Sequence, residues 1–105
     1  LDTAYARGVQ LLQKRKYAKA LYILNDYNDR NTVVAHLSLD HNERAMELLA
    51  TVPKDAVTEY LRAIACSRLG RKAEGREHFL EACRLDGRME YRGNLDPEIA
   101  ELLKQ

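Results

Sequence analysis

Charge of one sign is the first thing this chain lacks. Its 17 basic and 16 acidic residues leave a net charge of +1, so the basic field typical of a nucleic-acid binder is missing. It also lacks a long apolar run. Nowhere do hydrophobic residues approach the ~20 in succession that a membrane-spanning helix requires, and direct membrane insertion is not expected. Neither a secretory leader nor a transit peptide is legible. The chain opens on Leu1, so it is expected to be a piece of a longer or processed protein whose address signal lies elsewhere. A phosphate-cradling glycine loop is missing as well, since Gly8, Gly70, Gly75, Gly87 and Gly93 are scattered singly.

Cysteine is scarce. Cys66 and Cys83 read as small core residues, and free cysteine is among the most buried residue types. Reduced core thiols are the preferred reading and a Cys66–Cys83 disulfide is the alternative, which leaves the redox compartment open. Ligand spacing is also wanting. His36 and His41, with Asp40, lack the four-residue step that puts two ligands on one helical face, and no second cluster closes a metal site. Cys66, His78 and Cys83 lie near one another in sequence, but nothing in the pattern supplies an orienting carboxylate or an oxyanion hole. His78 with Glu74 reads as a helix-surface pair. No catalytic residue, metal ligand or cofactor is therefore expected.

What is present is helical patterning. With 46% hydrophobic and 31% charged residues over 105 positions, the chain reads as one soluble globular domain able to bury a single core. Its organising stretch is 60–82. Leu61, Ile64, Ala65 and Leu69 recur at three- and four-residue steps. Gly70 ends that helix in a left-handed conformation, and Ala73, Phe79, Leu80, Ala82 and Cys83 form the apolar side of a second helix. The small residues Ala63, Ala65, Ala73 and Gly75 let the two helices approach closely.

The hairpin recurs. Residues 8–24 match it in outline, and a worn copy runs from Val33 and His36 through 40–49. Taking Ala20, Ala45 and Gly75 as equivalent gives spacings of 25 and 30 residues, within the range of stacked helical arrays.

Element by element, Asp2 is expected to cap a helix reaching Lys14. A second helix follows over 17–25 with Leu21, Tyr22 and Leu24 buried. Asn31 caps a third through Leu39. Asp40 with Glu43 resembles a capping box opening a fourth, and Pro53 suits the first turn of a fifth. A sixth ends near Leu85, residues 86–94 form the longest loop, and Asp96 begins a last helix with Leu95, Ile99, Leu102 and Leu103 on its apolar side.

This pattern resembles the tetratricopeptide repeat, a ~34-residue helix–turn–helix. Gly8, Leu11, Tyr17, Ala20 and Leu24 fall at the family's spacing in the first copy. Ala63, Cys66, Leu69, Gly70, Gly75, Phe79 and Ala82 do so in the third. The chain departs from the family pattern at Ala4, where Trp is frequent, at Arg7 and Arg62, where Leu is preferred, and at Gly75, where Ala is usual. The customary proline between repeats is absent. The resemblance implies an all-α fold: antiparallel helical hairpins stacked as a short right-handed array of about three repeats (about 1–30, 31–52 and 53–86), with a C-terminal capping helix over 95–104. The alternative is another small helical bundle.

Family members usually bind peptides or partner proteins in a concave groove lined by the first helix of each hairpin. Carried over by spacing, that groove presents Tyr5, Val9, Leu12 and Gln13 from the first repeat. Arg30, Val34 and Leu37 come from the second, and Tyr60, Ile64, Ser67 and Arg68 from the third. The basic and asparagine set that clamps a C-terminal carboxylate is missing, so an apolar segment, extended or helical, is the expected ligand. The alternative for Tyr5 and Tyr60 is core, covered by the last helix or another domain. Two function classes follow: a non-catalytic protein-interaction or scaffold module, and a structural or regulatory domain packing against its own chain. The run 84–99 is similar to short repeat tails of bacterial envelope-associated proteins, which tilts localisation toward the periplasm or cell envelope. The basic clusters Lys14, Arg15, Lys16, Lys19 and Arg68, Arg71, Lys72, Arg76 read as solvated turns, with a docking patch for an acidic partner or nucleic acid as the alternative.

Overall fold

Two local signals recur along the backbone and set where the helices begin and end. The computed structural model describes residues 2–104, and among them the chain is all-helical, with eight helices and no strand. It divides into two compact units, Leu1–Val52 and Pro53–Gln105. The first unit holds α1 (Thr3–Gln13), α2 (Tyr17–Leu24), α3 (Arg30–Ser38) and α4 (Asn42–Leu49). The second holds α5 (Ala56–Arg68), α6 (Lys72–Leu85), α7 (Arg88–Asn94) and α8 (Pro97–Leu103).

The first signal is a shared turn. Arg15, Asp40 and Gly70 adopt positive φ (60°, 60° and 76°) just past α1, α3 and α5. Each turn carries the same pair of hydrogen bonds: Lys16 N–H to Leu11 and Arg15 N–H to Leu12, His41 to His36 and Asp40 to Leu37, Arg71 to Cys66 and Gly70 to Ser67. This is the six-to-one and five-to-two pairing that satisfies the last carbonyls of a helix. The next helix starts at once, from Lys16, His41 or Arg71, with no side-chain cap. The positive-φ residue falls five positions before Ala20, Ala45 and Gly75. The backbone thus keeps the register in which those three small residues correspond.

The second signal is the aspartate cap. Asp2, Asp29, Asp55 and Asp96 accept from the backbone N–H of Tyr5, Thr32, Thr58 and Glu98. Each thereby pairs a helix N–H that has no partner within its own helix. Asp29 and Asp55 extend this to reciprocal boxes with Thr32 and Thr58. The third helix is therefore capped two residues before Asn31. Asp40 belongs to the turn after α3 and does not open α4, and Pro53 precedes α5.

In the first unit, Leu11, Ala20 and Leu24 form a core on which Tyr5, Val9, Leu12 and Ile23 pack. In the second, Tyr60, Ala63, Ile64, Phe79, Ala82, Ile99 and Leu102 do the same, with Cys83 and Met89 against them. Gly75 makes a close approach possible there: a Cβ on it would lie 2.7 Å from Leu102 Cδ1 and 3.0 Å from Cys66 Cβ. The stretch expected as the longest loop contains α7, because Met89 packs on the core and Gly93 sits flush against the Phe79 ring.

Several expected core residues face solvent. Tyr22 is 90% exposed and Leu80 63%, while Leu95 and Leu103 are exposed too. Ala73, counted among the crossing residues, is also exposed. Three of them lie beside a residue that takes the inward position: Ile23 and Leu24 beside Tyr22, Phe79 beside Leu80, and Leu102 beside Leu103. Cys66 and Cys83 are both free thiols, the first buried and the second partly so.

Candidate functional site

The expected groove is half surface and half core. In the first unit Tyr5, Val9, Leu12 and Val34 are partly exposed, Gln13 and Arg30 are exposed, and Leu37 is buried. Tyr5 is held by its own unit. Its hydroxyl donates to Asp29 and accepts from Asn31 Nδ2 at 2.7 Å, and its ring packs 4.8 Å from that of Tyr27. Tyr27 in turn donates to the capping carboxylate Asp2 at 2.6 Å. This chain of polar contacts ties the start of α1 to the start of α3.

In the second unit the corresponding face is covered by α8. Tyr60 is only 1% exposed, and Ile64 is buried against Ile99 and Leu102. The Tyr60 hydroxyl donates to Asp96 Oδ2 at 2.6 Å, and the Arg92 guanidinium lies 4.2 Å above its ring. Burial and the Asp96 carboxylate push the phenol well above its ordinary pKa. Ser67 donates to the Glu98 carbonyl at 3.2 Å, and Arg68 grips the Glu98 carboxylate at 2.7 and 3.2 Å. Tyr60, Ile64, Ser67 and Arg68, all expected to line a peptide groove, instead seat the chain's own last helix. Tyr60 and Ile64 are core because α8 carries Ile99 and Leu102 three residues apart, the spacing of one helical face.

A second constellation, on α5 and α6, joins Cys66, Glu74 and His78 to a residue that the sequence pattern did not mark, Glu59. Glu59 is 2% exposed, and its carboxylate meets His78 Nδ1 at 2.6 Å and Arg62 at 3.3 Å. The other ring nitrogen of His78, Nε2, points toward Glu74 Oε2 at 3.8 Å. Cys66, fully buried, donates its thiol proton to the same Glu74 oxygen at 3.4 Å. Burial and the Glu74 carboxylate push that thiol up to about 12. A thiol so held is a poor nucleophile while it carries its proton, since cysteine nucleophiles have lowered pKa values and exposed sulfur. The orienting carboxylate absent from the sequence pattern is Glu59. It lies 19 residues before His78 and one helix away, which hides it from any reading of local spacing.

Two further features lie in the first unit. His36 Nδ1 and His41 Nδ1 are 3.0 Å apart, so one donates to the other, while His36 Nε2 is buried without a hydrogen-bond partner. Tyr22, with Ala18, Leu21, Leu39, Asn25, Asp26 and His41, borders an open trough of about 840 Å³. Tyr22, expected inside, is exposed on α2. Comparison of the chain with protein-family models, with curated proteins and with solved structures gives no match.

Proposed function

We propose that this chain is a non-catalytic protein-interaction module built from degenerate tetratricopeptide-like hairpins, and that it binds an amphipathic helical segment of a partner protein. The observation that carries the reading is α8 lying on α5. An amphipathic helix with aliphatic anchors at Ile99 and Leu102 already occupies the face formed by Tyr60 and Ile64. Fifty-five residues earlier the same positions hold Tyr5 and Val9 on α1, with Leu12 and Gln13 after them and Val34 on α3. These residues are partly or fully exposed, and they offer a partner helix the chemistry that α8 meets on α5.

A full-length protein titrated with a display library of helical peptides tests this. Val9→Asp is expected to weaken the selected peptides by about tenfold or more, from the ~1.5–3 kcal/mol that a buried aliphatic side chain contributes. Tyr22→Asp, at the trough, is expected to leave them unchanged. Retained helicity by circular dichroism keeps the comparison clean. Peptides that respond to Tyr22→Asp and ignore Val9→Asp would sink the α1 face as the site.

The same contact favours a second reading. A groove face filled by its own chain is what a structural or regulatory domain would show, one that packs against the rest of its protein, such as a bacterial envelope-associated protein. Under that reading the library yields no peptide that depends on Val9.

A further inference from the structure

We propose that Cys66, Glu74 and His78 form a zinc-type metal site, with Glu59 as the positioning residue behind the histidine. Independently of the interaction reading, the three ligand atoms lie within 4.8 Å of one another on two adjacent helices. Zinc bonds of ~2.3 Å to sulfur and ~2.0–2.2 Å to nitrogen and oxygen, at tetrahedral angles, put ligand atoms about 3.3–3.6 Å apart. The observed Sγ–Oε2 and Nε2–Oε2 separations are 3.4 and 3.8 Å. The third pair, Sγ and Nε2, lies within 4.8 Å, so an ion enters as the thiol and the imidazole close on each other by up to about an ångström.

The histidine is already prepared. Glu59 accepts the Nδ1 proton at 2.6 Å, which leaves the Nε2 lone pair facing Cys66 and Glu74. The 3.8 Å gap from Nε2 to Glu74 is too long for a hydrogen bond, so no proton on Nε2 is needed to hold the ring. A buried carboxylate on the far nitrogen is the usual outer-shell support of a metal-bound imidazole, and it sets both tautomer and ring angle. Thiolate with imidazole selects a borderline ion such as zinc over magnesium or calcium. Charge also closes. A thiolate and two carboxylates (Cys66, Glu74, Glu59) face the divalent ion and Arg62, which pairs Glu59. The ion replaces the thiol proton, which leaves to solvent. Glu74 is half-exposed, so ions enter from its side and a water completes the shell.

The test titrates the full metal-free chain with Co²⁺ as a spectroscopic probe and then displaces it with Zn²⁺. The expected result is a single tetrahedral site with a thiolate-to-cobalt charge-transfer band, lost on zinc addition. Cys66→Ser is expected to abolish that band and Cys83→Ser to keep it. Glu74→Gln, at an exposed position that leaves the fold intact, and Glu59→Gln are each expected to weaken binding about 10–100-fold. No charge-transfer band in the wild type would overturn the proposal, as would a band that survives Cys66→Ser or moves with Cys83. Cobalt binding unaffected by Glu74→Gln would overturn it as well.

Discussion

Replacing Tyr60 with phenylalanine removes one oxygen atom and separates two accounts of α5. If the Tyr60 face were an open groove, loss of an exposed hydroxyl would leave stability within about 0.5 kcal/mol of wild type. In the fold described here the hydroxyl is buried and donates to the Asp96 carboxylate at 2.6 Å. Hydrogen bonds to charged acceptors are worth about 1.5–3 kcal/mol. Asp96 is only partly buried and keeps its bond from the Glu98 N–H at 2.9 Å, so water can reach the freed oxygen, and the lower end applies, about 1.5 kcal/mol. The aromatic ring, the edge contact with Phe79 and the Arg92 cation above it all survive the change. For a unit of this size, about 1.5 kcal/mol lowers the melting temperature by about 6–12 °C. Urea denaturation followed by circular dichroism reads the same loss as a lower midpoint at unchanged slope. Tyr22→Phe, at a ring 90% exposed, is the matched control and is expected to do nothing measurable. Equal midpoints for the two variants would refute the packing of α8 on α5.

Two other outcomes follow from local geometry. Arg15 holds φ 60° at an exposed turn where Gly70 occupies the equivalent place, so Arg15→Gly is expected to raise stability by about 0.5–1 kcal/mol; an unchanged or lower urea midpoint would contradict the left-handed turn. His36 is held below the ordinary imidazole value of 6.5, by burial first and then by His41 and Arg44. The unfolded chain therefore binds this proton more readily than the folded one. The first unit should have its full stability above about pH 6.5 and lose it as pH falls through the lowered value; a midpoint flat between pH 7.5 and 5.5 would remove the effect, and His36→Gln should flatten it.

The hairpins were legible because their signals are local. Gly70 marks its turn by composition alone, and the spacing of Ala20, Ala45 and Gly75 agrees with the backbone turns five residues upstream. Arg15 and Asp40 do the same work as Gly70 without its chemistry, which is why the first two turns were harder to place. The helix over 88–94 was not legible. It is held by Met89 and Gly93 against Phe79, contacts with no local periodicity. The exposure of the residues expected to line a groove was not legible, because whether Tyr60 faces solvent is decided by Asp96, Ile99 and Leu102 more than thirty residues away. Glu59 was invisible for the same reason: one acidic residue within a helix reads as surface until a histidine from the next helix is brought onto it.

Asp96 has a double attachment whose consequence is kinetic. One of its oxygens starts α8 through the Glu98 N–H and the other takes the Tyr60 hydroxyl. A seven-residue helix does not persist alone in water, so α8 is helical only while it is docked. Fraying and undocking are then a single opening event. Its amides should exchange with solvent together, at a lower free energy than those of α5 beneath. The covered face of Tyr60 and Ile64 is reached by melting two turns of helix, not by widening a cleft, and each melting uncovers the whole face at once.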